Sequence, residues 1–318
     1  MVVCIHYRPC GFNYDYIYPI IRTGVPCFLL ISGFFLFSTD RQKALEHCSR
    51  SIKRILKITI WCNLFYLLFM NIPKVLLFDD DFVFPTTFKG IFLAIFQGSD
   101  MCGHLWYLTA YIEALVVIYV LVRLRLERMF GFIVIAGIAA GQIFGKYSAF
   151  FEPLQAYNSL LYCRNFFTVS LPFFCLGWLL HKHCDAVLKL LKFRFAACLL
   201  ALVLVLSYIE YHILHGSNLW GDYILTTVPL SLLMVICCLH RPDLGRGWML
   251  ETIGKKYSTN IYLYHMFVGW LLRKVLTHCP PPLFTVLVFV LTLVVVIAGG
   301  CIYKIFHSTF AESSEGKA

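Results

Sequence analysis

The segment from Pro19 to Phe37 constrains the fold most strongly, because it is a nearly continuous apolar run that contains an arginine. Its sequence is PIIRTGVPCFLLISGFFLF. About eighteen mostly apolar residues are what an α-helix needs to cross a hydrocarbon core of about 30 Å. Arg22 is costly in such a span unless it faces a polar cavity or a partner. The segment predicts a membrane span with a functional arginine, or alternatively a plain anchor whose arginine reaches the lipid headgroups.

Two further features interrupt this span. Pro26 is expected to kink the helix, because proline frees a backbone carbonyl. The Ser32-Gly33 pair is expected to let another backbone come close. A basic segment, RQKALEHCSRSIKRILK, follows at residues 41–57.

The composition of the whole chain indicates a polytopic membrane protein. Of the 318 residues, 60% are hydrophobic and only 14% are charged, against about a quarter charged in soluble proteins. The net charge of +10 does not indicate nucleic-acid binding, because the basic residues lie in alternate loops rather than on one surface.

The apolar runs predict an all-α bundle of about ten transmembrane helices, of which the first is incomplete. Residues 1–307 form one membrane domain in this prediction, and residues 308–318 form a disordered cytoplasmic tail. The short apolar piece Phe88 to Phe96 is predicted to be interfacial or re-entrant. The predicted spans are 1–8, 19–37, 58–72, 104–122, 130–144, 166–180, 195–211, 223–239, 258–276 and 283–306.

Loop charge supports this topology, since cytoplasmic loops are enriched in lysine and arginine. The connections 39–57, 123–129, 181–194 and 240–257 hold seventeen Lys and Arg residues. The intervening connections 71–103, 146–165, 210–222 and 273–282 hold six. With an even number of spans, we therefore expect both termini in the cytoplasm. We expect the protein in the plasma membrane, which in a cell with two membranes is the inner one.

The chain lacks the sequence motifs of several common kinds of site and enzyme. The 14 cysteines lie mostly in apolar runs, without C-x-x-C or zinc spacing, so neither a disulfide framework nor a metal site is predicted. The Walker A, G-x-S-x-G and H-E-x-x-H motifs are also missing, which leaves ATPase, hydrolase and metalloprotease readings unsupported.

Candidate site residues lie at the ends of the predicted spans. His6 is a possible general base, or an interfacial histidine beside Tyr7. Arg50 and Arg54, with two neighbouring lysines, would share one helix face, which could bind donor phosphates or simply orient the protein.

Further candidates enter the membrane from the outward side. His104, Trp106 and Tyr107 could form a site or an interfacial aromatic belt. Arg164 opens another span, and Glu210 needs a partner that Arg22 or Arg164 could supply. His265 lies three residues after Tyr262, where a packed core histidine is the alternative interpretation.

Six segments taken in order resemble the acyltransferase 3 family of integral membrane acyltransferases, over nearly the whole chain. The segments are RTGVPCFLLISGFFL (22–36), SRSIKRILK (49–57), HLWYL (104–108), RNFFTVSLPFFCLGWLL (164–180), SYIEYHIL (207–214) and IGKKYSTNIYLYH (253–265).

The resemblance implies transfer of an acyl group, usually acetyl from cytoplasmic acetyl-CoA, to a hydroxyl of a surface or lipid-linked glycan. Acetyl-CoA or another acyl-CoA would be the donor substrate rather than a bound cofactor, and the other partners would be a carbohydrate or glycolipid acceptor and membrane lipids. His6 matches the family's catalytic histidine. The arginine that precedes this histidine by eleven positions would lie upstream of Met1, so a missing upstream segment is expected.

The resemblance also assigns roles to other residues. Arg22, Arg50 and Arg54 would belong to the polar lining and the donor-binding side, and the segment from His104 to Tyr107 would shape the site. A multispan glycan transporter or flippase is the alternative function, since buried arginines and a broken helix also suit a transport path. A sensor or scaffold without chemistry is a third reading.

Overall fold

The structure is a computed structural model, and it describes residues 1–7, 14–72, 87–90, 92, 98, 102–215 and 220–315. Within these residues the protein is helical and contains no strand, which confirms the all-α class. The main helices are α1 (Val2–His6), α2 (Tyr14–Ile21), α3 (Gly24–Leu36), α4 (Arg41–Tyr66), α5 (Trp106–Arg123), α6 (Phe130–Ile143), α7 (Leu171–Lys182), α8 (Phe193–His215), α9 (Thr227–His240), α10 (Met249–Val275) and α11 (Pro281–Glu315). Most of the predicted 88–96 segment lies outside the described residues.

Five helical stretches are long and apolar enough to cross a membrane, so the predicted number of about ten is not confirmed. The other predicted spans that are described also lie on helices. These helices are either too short to cross a membrane or not apolar enough over their length. The helices α1, α6 and α9 are too short, with 5, 14 and 14 residues, and α4 and α10 join an apolar part to a charged one. The five stretches are Ile17–Leu36, Trp106–Arg123, Leu160–Lys182, Phe193–Leu214 and Pro281–Gly300.

The basic segment and the apolar run that follows it form one continuous helix, α4. Its N-cap is Asp40, whose carboxylate accepts hydrogen bonds from the backbone N–H groups of Gln42 at 2.9 Å and Lys43 at 3.5 Å. Such a cap satisfies amide groups that the first turn leaves without helical partners. A π-helical turn, Leu67–Asn71, extends this helix.

The arginine-containing span is broken at Arg22, four residues before Pro26. The helix α2 ends at Ile21, a turn holds Arg22 and Thr23, and α3 begins at Gly24. Pro26 lies in the first turn of α3, where proline costs no hydrogen bond because the N–H there has no helical acceptor. A proline leaves without a partner the carbonyl four residues earlier, which here is that of Arg22, so the break agrees with the kink expected from Pro26.

Close backbone contact joins α3 to α7. A Cβ atom added to Gly33 would overlap the carbonyl oxygen of Phe174, and one added to Gly177 would overlap that of Leu30. Small residues allow helices to approach this closely in a membrane. The expectation that the Ser32-Gly33 pair admits a second backbone is thus confirmed.

The chain divides into two compact units. The single membrane domain expected over residues 1–307 stays a prediction. One unit comprises residues 15–242, and the other comprises residues 1–14 with 243–318. In the latter, α1 packs against α10 and α11 through a buried core of Val3, Tyr7, Ile261, Phe284 and Val288.

The last helix is assigned as far as Glu315. The disordered tail expected from residue 308 stays a prediction. Neither proline nor glycine occurs from Cys301 to Glu315, and Gly316 follows immediately. Because these two residues are the strongest helix breakers, the sequence contains nothing strong enough to stop the helix before that point.

The α3–α7 contact generates a stability prediction. Replacing Gly33 by alanine should lower the free energy of unfolding by about 1–3 kcal/mol, because the added methyl group must displace a backbone carbonyl. Gly131→Ala is the matched control, since a Cβ there meets nothing within 4 Å. Thermal unfolding in detergent measures both, and equal stability of Gly33→Ala and the wild type would contradict the packing.

Candidate functional site

A cavity of about 430 Å³ opens between α3, α4 and α5. The helix α3 contributes mainly apolar side chains, α4 contributes one polar face, and α5 contributes a tyrosine. The lining residues are Ile31, Ser32, Phe35, Leu36, His47, Arg50, Ser51, Arg54 and Tyr111. We call this space the arginine cavity.

The charged wall of the arginine cavity comes from one face of α4. His47, Arg50 and Arg54 recur at spacings of three and four residues, which places them on the same side of a helix. The Arg50 Nε donates to the Glu46 carbonyl oxygen at 3.4 Å. Among the described residues neither arginine forms an ion pair. The cavity therefore carries two positive charges that an anionic ligand could neutralise.

His47 adds a polar atom that the sequence did not single out. Its Nδ1 is buried and has no hydrogen-bond partner within the described part of the chain. A buried nitrogen in that condition is costly, and a ligand that enters the cavity could satisfy it. The hydroxyl groups of Ser32, Ser51 and Tyr111 complete a lining that suits polar and anionic groups.

A second polar cluster contains Arg22 and Arg164. The Arg164 Nε donates to the two carboxylate oxygens of Asp222 at 2.9 and 2.8 Å, and its Nη2 donates to Oδ1 at 2.6 Å. The Arg22 Nη1 lies 3.8 Å from the same Oδ1. Asp222 therefore bridges the two arginines, and we call these three residues the Asp222 cluster.

Local breaks in the helices position this cluster. Arg164 follows the short helix Leu160–Cys163 and precedes a π-helical turn that Asn165 caps by accepting from Phe167 and Thr168 N–H at 2.8 and 3.0 Å. The Asp222 loop is held by Asn158, whose Oδ1 accepts from Trp220 N–H at 2.6 Å. In a membrane protein, such non-helical backbone is tolerated where it is buried in the protein or lines a polar cavity, so these breaks can carry polar side chains.

Aromatic rings cover both arginines. The Arg164 guanidinium lies 5.3 Å from the Trp106 ring centroid, and that of Arg22 lies 4.9 Å from the Tyr18 centroid. Tyr18 is itself stacked on Tyr211 at 4.4 Å. Trp106 is only 8% exposed, which places it in the protein rather than in a lipid-facing belt.

Glu210 binds elsewhere, so the suggestion that Arg22 or Arg164 supplies its partner is wrong. Its Oε1 accepts from Tyr147 Oη at 2.7 Å and from Leu225 N–H at 2.6 Å, and its Oε2 accepts from Thr226 N–H at 2.8 Å. Burial and this carboxylate raise the pKa of Tyr147, which keeps the phenol protonated as a donor. Glu210 thus fixes the backbone before α9, and Asp222 is the carboxylate that pairs with Arg22 and Arg164.

His104 and Tyr107 are both buried, at 1% and 6% exposure, which argues against an interfacial belt. His104 lies 5.2 Å from the Tyr66 ring, and Tyr107 lies 5.7 Å from the rings of Phe28 and Tyr111. These contacts place Tyr107 in the aromatic packing between α3 and α5.

The helix α5 links the two polar regions. Trp106 contacts the Asp222 cluster, and Tyr111, five residues later, lines the arginine cavity. Five helical residues rise about 7.5 Å. The cavity and the cluster therefore lie at different depths of the same helical unit, with Tyr107 between them.

The unit that contains α1 holds a pair of histidines. The ring centroids of His6 and His265 are 5.2 Å apart. His265 is fully buried, and its Nδ1 lies 2.7 Å from the Tyr262 carbonyl oxygen. Since a carbonyl can only accept, the neutral ring carries its proton on Nδ1 and its lone pair on Nε2. His6 thus lies beside a second imidazole of fixed tautomer.

The same unit positions His6 through its neighbour. Tyr7 Oη donates to the Met266 carbonyl oxygen at 3.3 Å, and Thr285 Oγ1 donates to the Tyr7 carbonyl. The Arg273 guanidinium lies 5.6 Å from the Tyr7 ring centroid. These contacts fix the end of α1 against α10 and α11.

Sequence reasoning missed Asp222 and His47. Asp222 lies in a short connection, and its only signal was that two arginines in apolar segments need a carboxylate. His47 lies on the face of α4 that carries Arg50 and Arg54, so its helical spacing could have identified it.

Comparison with known proteins identifies the family. A family model described as an acyltransferase domain, Acyl_transf_3, matches residues 1–301, which is nearly the whole chain. No curated protein and no solved structure matches it. The five apolar helices agree with a family of membrane proteins. The chain belongs to the acyltransferase 3 family and is an integral membrane acyltransferase.

Proposed function

We propose that the protein transfers acetyl from cytoplasmic acetyl-CoA to a hydroxyl group of a surface or lipid-linked glycan. The observation that carries this proposal is the arginine cavity, which joins two arginines to a tyrosine in the helical interior. In this proposal the protein lies in the plasma membrane with both termini in the cytoplasm, as the loop charges favour.

The donor's phosphates would bind at the α4 face. Arg50 and Arg54 supply planar guanidinium groups, which form paired charge-assisted hydrogen bonds with phosphate oxygens. Ser51 and the buried Nδ1 of His47 would contribute further contacts. The thioester end of the donor would then point along α3 towards Tyr111.

Acyl transfer requires one bond to form and one to break. The acceptor's hydroxyl oxygen attacks the thioester carbonyl carbon, its proton passes to the imidazole of His6, and the C–S bond breaks. The thiolate leaves as CoA and takes a proton from the imidazolium, so that the products are an ester and the free thiol. His265 would help to position His6, because the two rings are 5.2 Å apart.

Donor binding can be tested on α4. Arg54→Gln should raise the Kd for CoA about tenfold or more, since a charge-assisted hydrogen bond contributes about 1.5–3 kcal/mol. Lys53→Gln is the matched control, because Lys53 is an adjacent exposed cation that does not line the cavity. Calorimetry on the purified chain measures both variants. An equal loss of CoA affinity in Arg54→Gln and Lys53→Gln would contradict a specific site and would indicate that the positive charges of α4 attract CoA only in general.

The proton transfer can be tested at His6. His6→Ala should slow transfer of radiolabelled acetyl to the host's surface glycan by about 10²–10⁴-fold, the usual contribution of a general base. Binding of CoA should be unchanged. His278→Ala is the control, since this histidine is exposed. Unchanged acetylation by His6→Ala would remove the residue from the mechanism. If even the wild type bound glycan and transferred no label, the transporter reading would be favoured.

A further inference from the structure

The polar groups of the arginine cavity form a row along α4. His47, Arg50 and Arg54 follow one another at intervals of three and four residues, which rise about 4.5 and 6 Å along a helix. His47 is nearest to the start of the helix at Arg41, and Arg54 is farthest from it. Tyr111 interacts electrostatically with Arg54, which places the tyrosine at the far end of the row. The row therefore extends over about 10 Å and can contact an elongated anion at more than one point.

The cavity offers this row no counter-charge. Among the described residues that line it, none is an aspartate or a glutamate. Arg50 and Arg54 form no ion pair within the described part of the chain, and the Glu46 carbonyl that Arg50 contacts is uncharged. The Nδ1 atom of His47 is buried and has no hydrogen-bond partner there. The row therefore suits a ligand with several negative charges and several acceptor oxygens.

CoA carries its negative charge in two groups that one ribose separates. A diphosphate links the adenosine to the pantetheine arm, and a phosphomonoester lies on the 3′-oxygen of the ribose. A phosphomonoester has a charge of about −1.5 to −2 at pH 7 and three strong acceptor oxygens. A thioester held on a carrier protein has the pantetheine arm on a phosphodiester, without adenosine or 3′-phosphate. The 3′-phosphate is thus the group by which a cavity of this charge can recognise CoA.

The order of the row decides which group lies where. The pantetheine arm is attached to the diphosphate, so the diphosphate lies nearer to the thioester than the 3′-phosphate does. Because the thioester end is directed towards Tyr111, the diphosphate lies beside Arg54. The 3′-phosphate then lies beside Arg50 and His47, closer to the start of α4. A histidine ring can carry a proton on Nδ1 whether it is neutral or charged, and it can donate that proton to a phosphate oxygen.

An aromatic ring is available for the adenine base. Phe35 lines the cavity and is nevertheless 69% exposed. It is the penultimate residue of α3. An open aromatic face can stack on a purine, because every base has a π-face. This ring favours a nucleotide over a phosphate without a base.

We propose that His47 and Arg50 bind the 3′-phosphate of CoA and thereby select CoA over thioesters that lack this group. The inference rests on the proposed function, and it narrows the donor class to free CoA thioesters. His47 is a specificity-determining residue in this account, because it contacts the group by which CoA differs from other donors. Arg54 holds the diphosphate and contributes affinity for any CoA derivative.

Calorimetry with CoA and dephospho-CoA tests the recognition of the 3′-phosphate. Both ligands contain the diphosphate and the adenine, and they differ in the 3′-phosphate alone. The purified full-length chain should bind CoA about tenfold more tightly than dephospho-CoA at pH 7, the effect of one charge-assisted contact. Equal Kd values for the two ligands would overturn the proposal.

Substitutions assign the preference to individual residues. His47→Leu and Arg50→Gln should each reduce the preference for CoA severalfold and leave the Kd for dephospho-CoA unchanged. Arg54→Gln should weaken both ligands and keep their ratio. His183→Leu is the control for His47, since this histidine is exposed and does not line the cavity. A preference that survives His47→Leu would contradict the role of His47.

A conservative change separates a hydrogen bond from packing. Asparagine can place an amide N–H near the position of the histidine Nδ1. His47→Asn should therefore keep more of the preference for CoA than His47→Leu does. Equal loss in the two variants would contradict a hydrogen bond from this residue.

A lipid headgroup is the other source of a phosphomonoester, and phosphatidic acid is the probe for it. The preference for CoA over dephospho-CoA should persist in mixed micelles that contain phosphatidic acid. Phosphatidylglycerol, whose phosphate is a diester, is the matched control. If phosphatidic acid removed the preference and phosphatidylglycerol did not, the ligand would be a lipid headgroup and the proposal would be wrong.

The same measurements separate this inference from the proposed function. Equal binding of CoA and dephospho-CoA, together with acetyl transfer to the glycan, would overturn the inference and leave the function standing. A preference for CoA that His47→Leu reduces, without any acetyl transfer by the wild type, would support the 3′-phosphate site and contradict the function.

Discussion

The backbone contact between α3 and α7 is the interaction on which the larger unit depends. Gly33 and Gly177 each face a carbonyl oxygen of the other helix, which brings the two helices as close as their backbones permit. In a membrane such contacts replace the hydrophobic effect as the cause of helix association. Because α3 carries Arg22 just before its start and lines the arginine cavity at its other end, this contact also sets the spacing of the two polar regions.

The cost of burying charge explains why the two regions differ. Arg164 lies among helices and is paired to Asp222 through three hydrogen bonds, since an unpaired guanidinium would be costly there. Arg50 and Arg54 are exposed on a polar face of α4, where water can solvate them until a ligand binds. The first arrangement is a rigid support, and the second is a binding surface with charge available for phosphates.

Much of the fold followed from residue pattern. Apolar runs located the helices, and Gly33 indicated a close backbone approach because only a small residue permits it. The predicted number of about ten spans is not confirmed. One reason is that the apolar run after residue 57 is part of α4, a helix of 26 residues that begins in the basic segment, and sequence alone does not show that the two parts are joined. The break near Arg22 agrees with Pro26, because a proline leaves unpaired the carbonyl four residues before it.

The site was less predictable, because partners far apart in the chain define it. The spacing of Arg50 and Arg54 was enough to place both on one wall of a cavity. Glu210 was expected to pair with an arginine, yet it binds Tyr147 and two amides, and Asp222 takes its place. Neither carboxylate has a local signal for its partner. The pairing of His6 with His265 likewise joins residues from opposite ends of the chain.

The most direct test of this account is a cryo-electron microscopy structure of the chain with CoA bound. The account predicts density for the phosphates within hydrogen-bond distance of Arg50 and Arg54, with the thiol end directed towards Tyr111. Density for CoA away from α4, with both guanidinium groups directed into lipid, would contradict it.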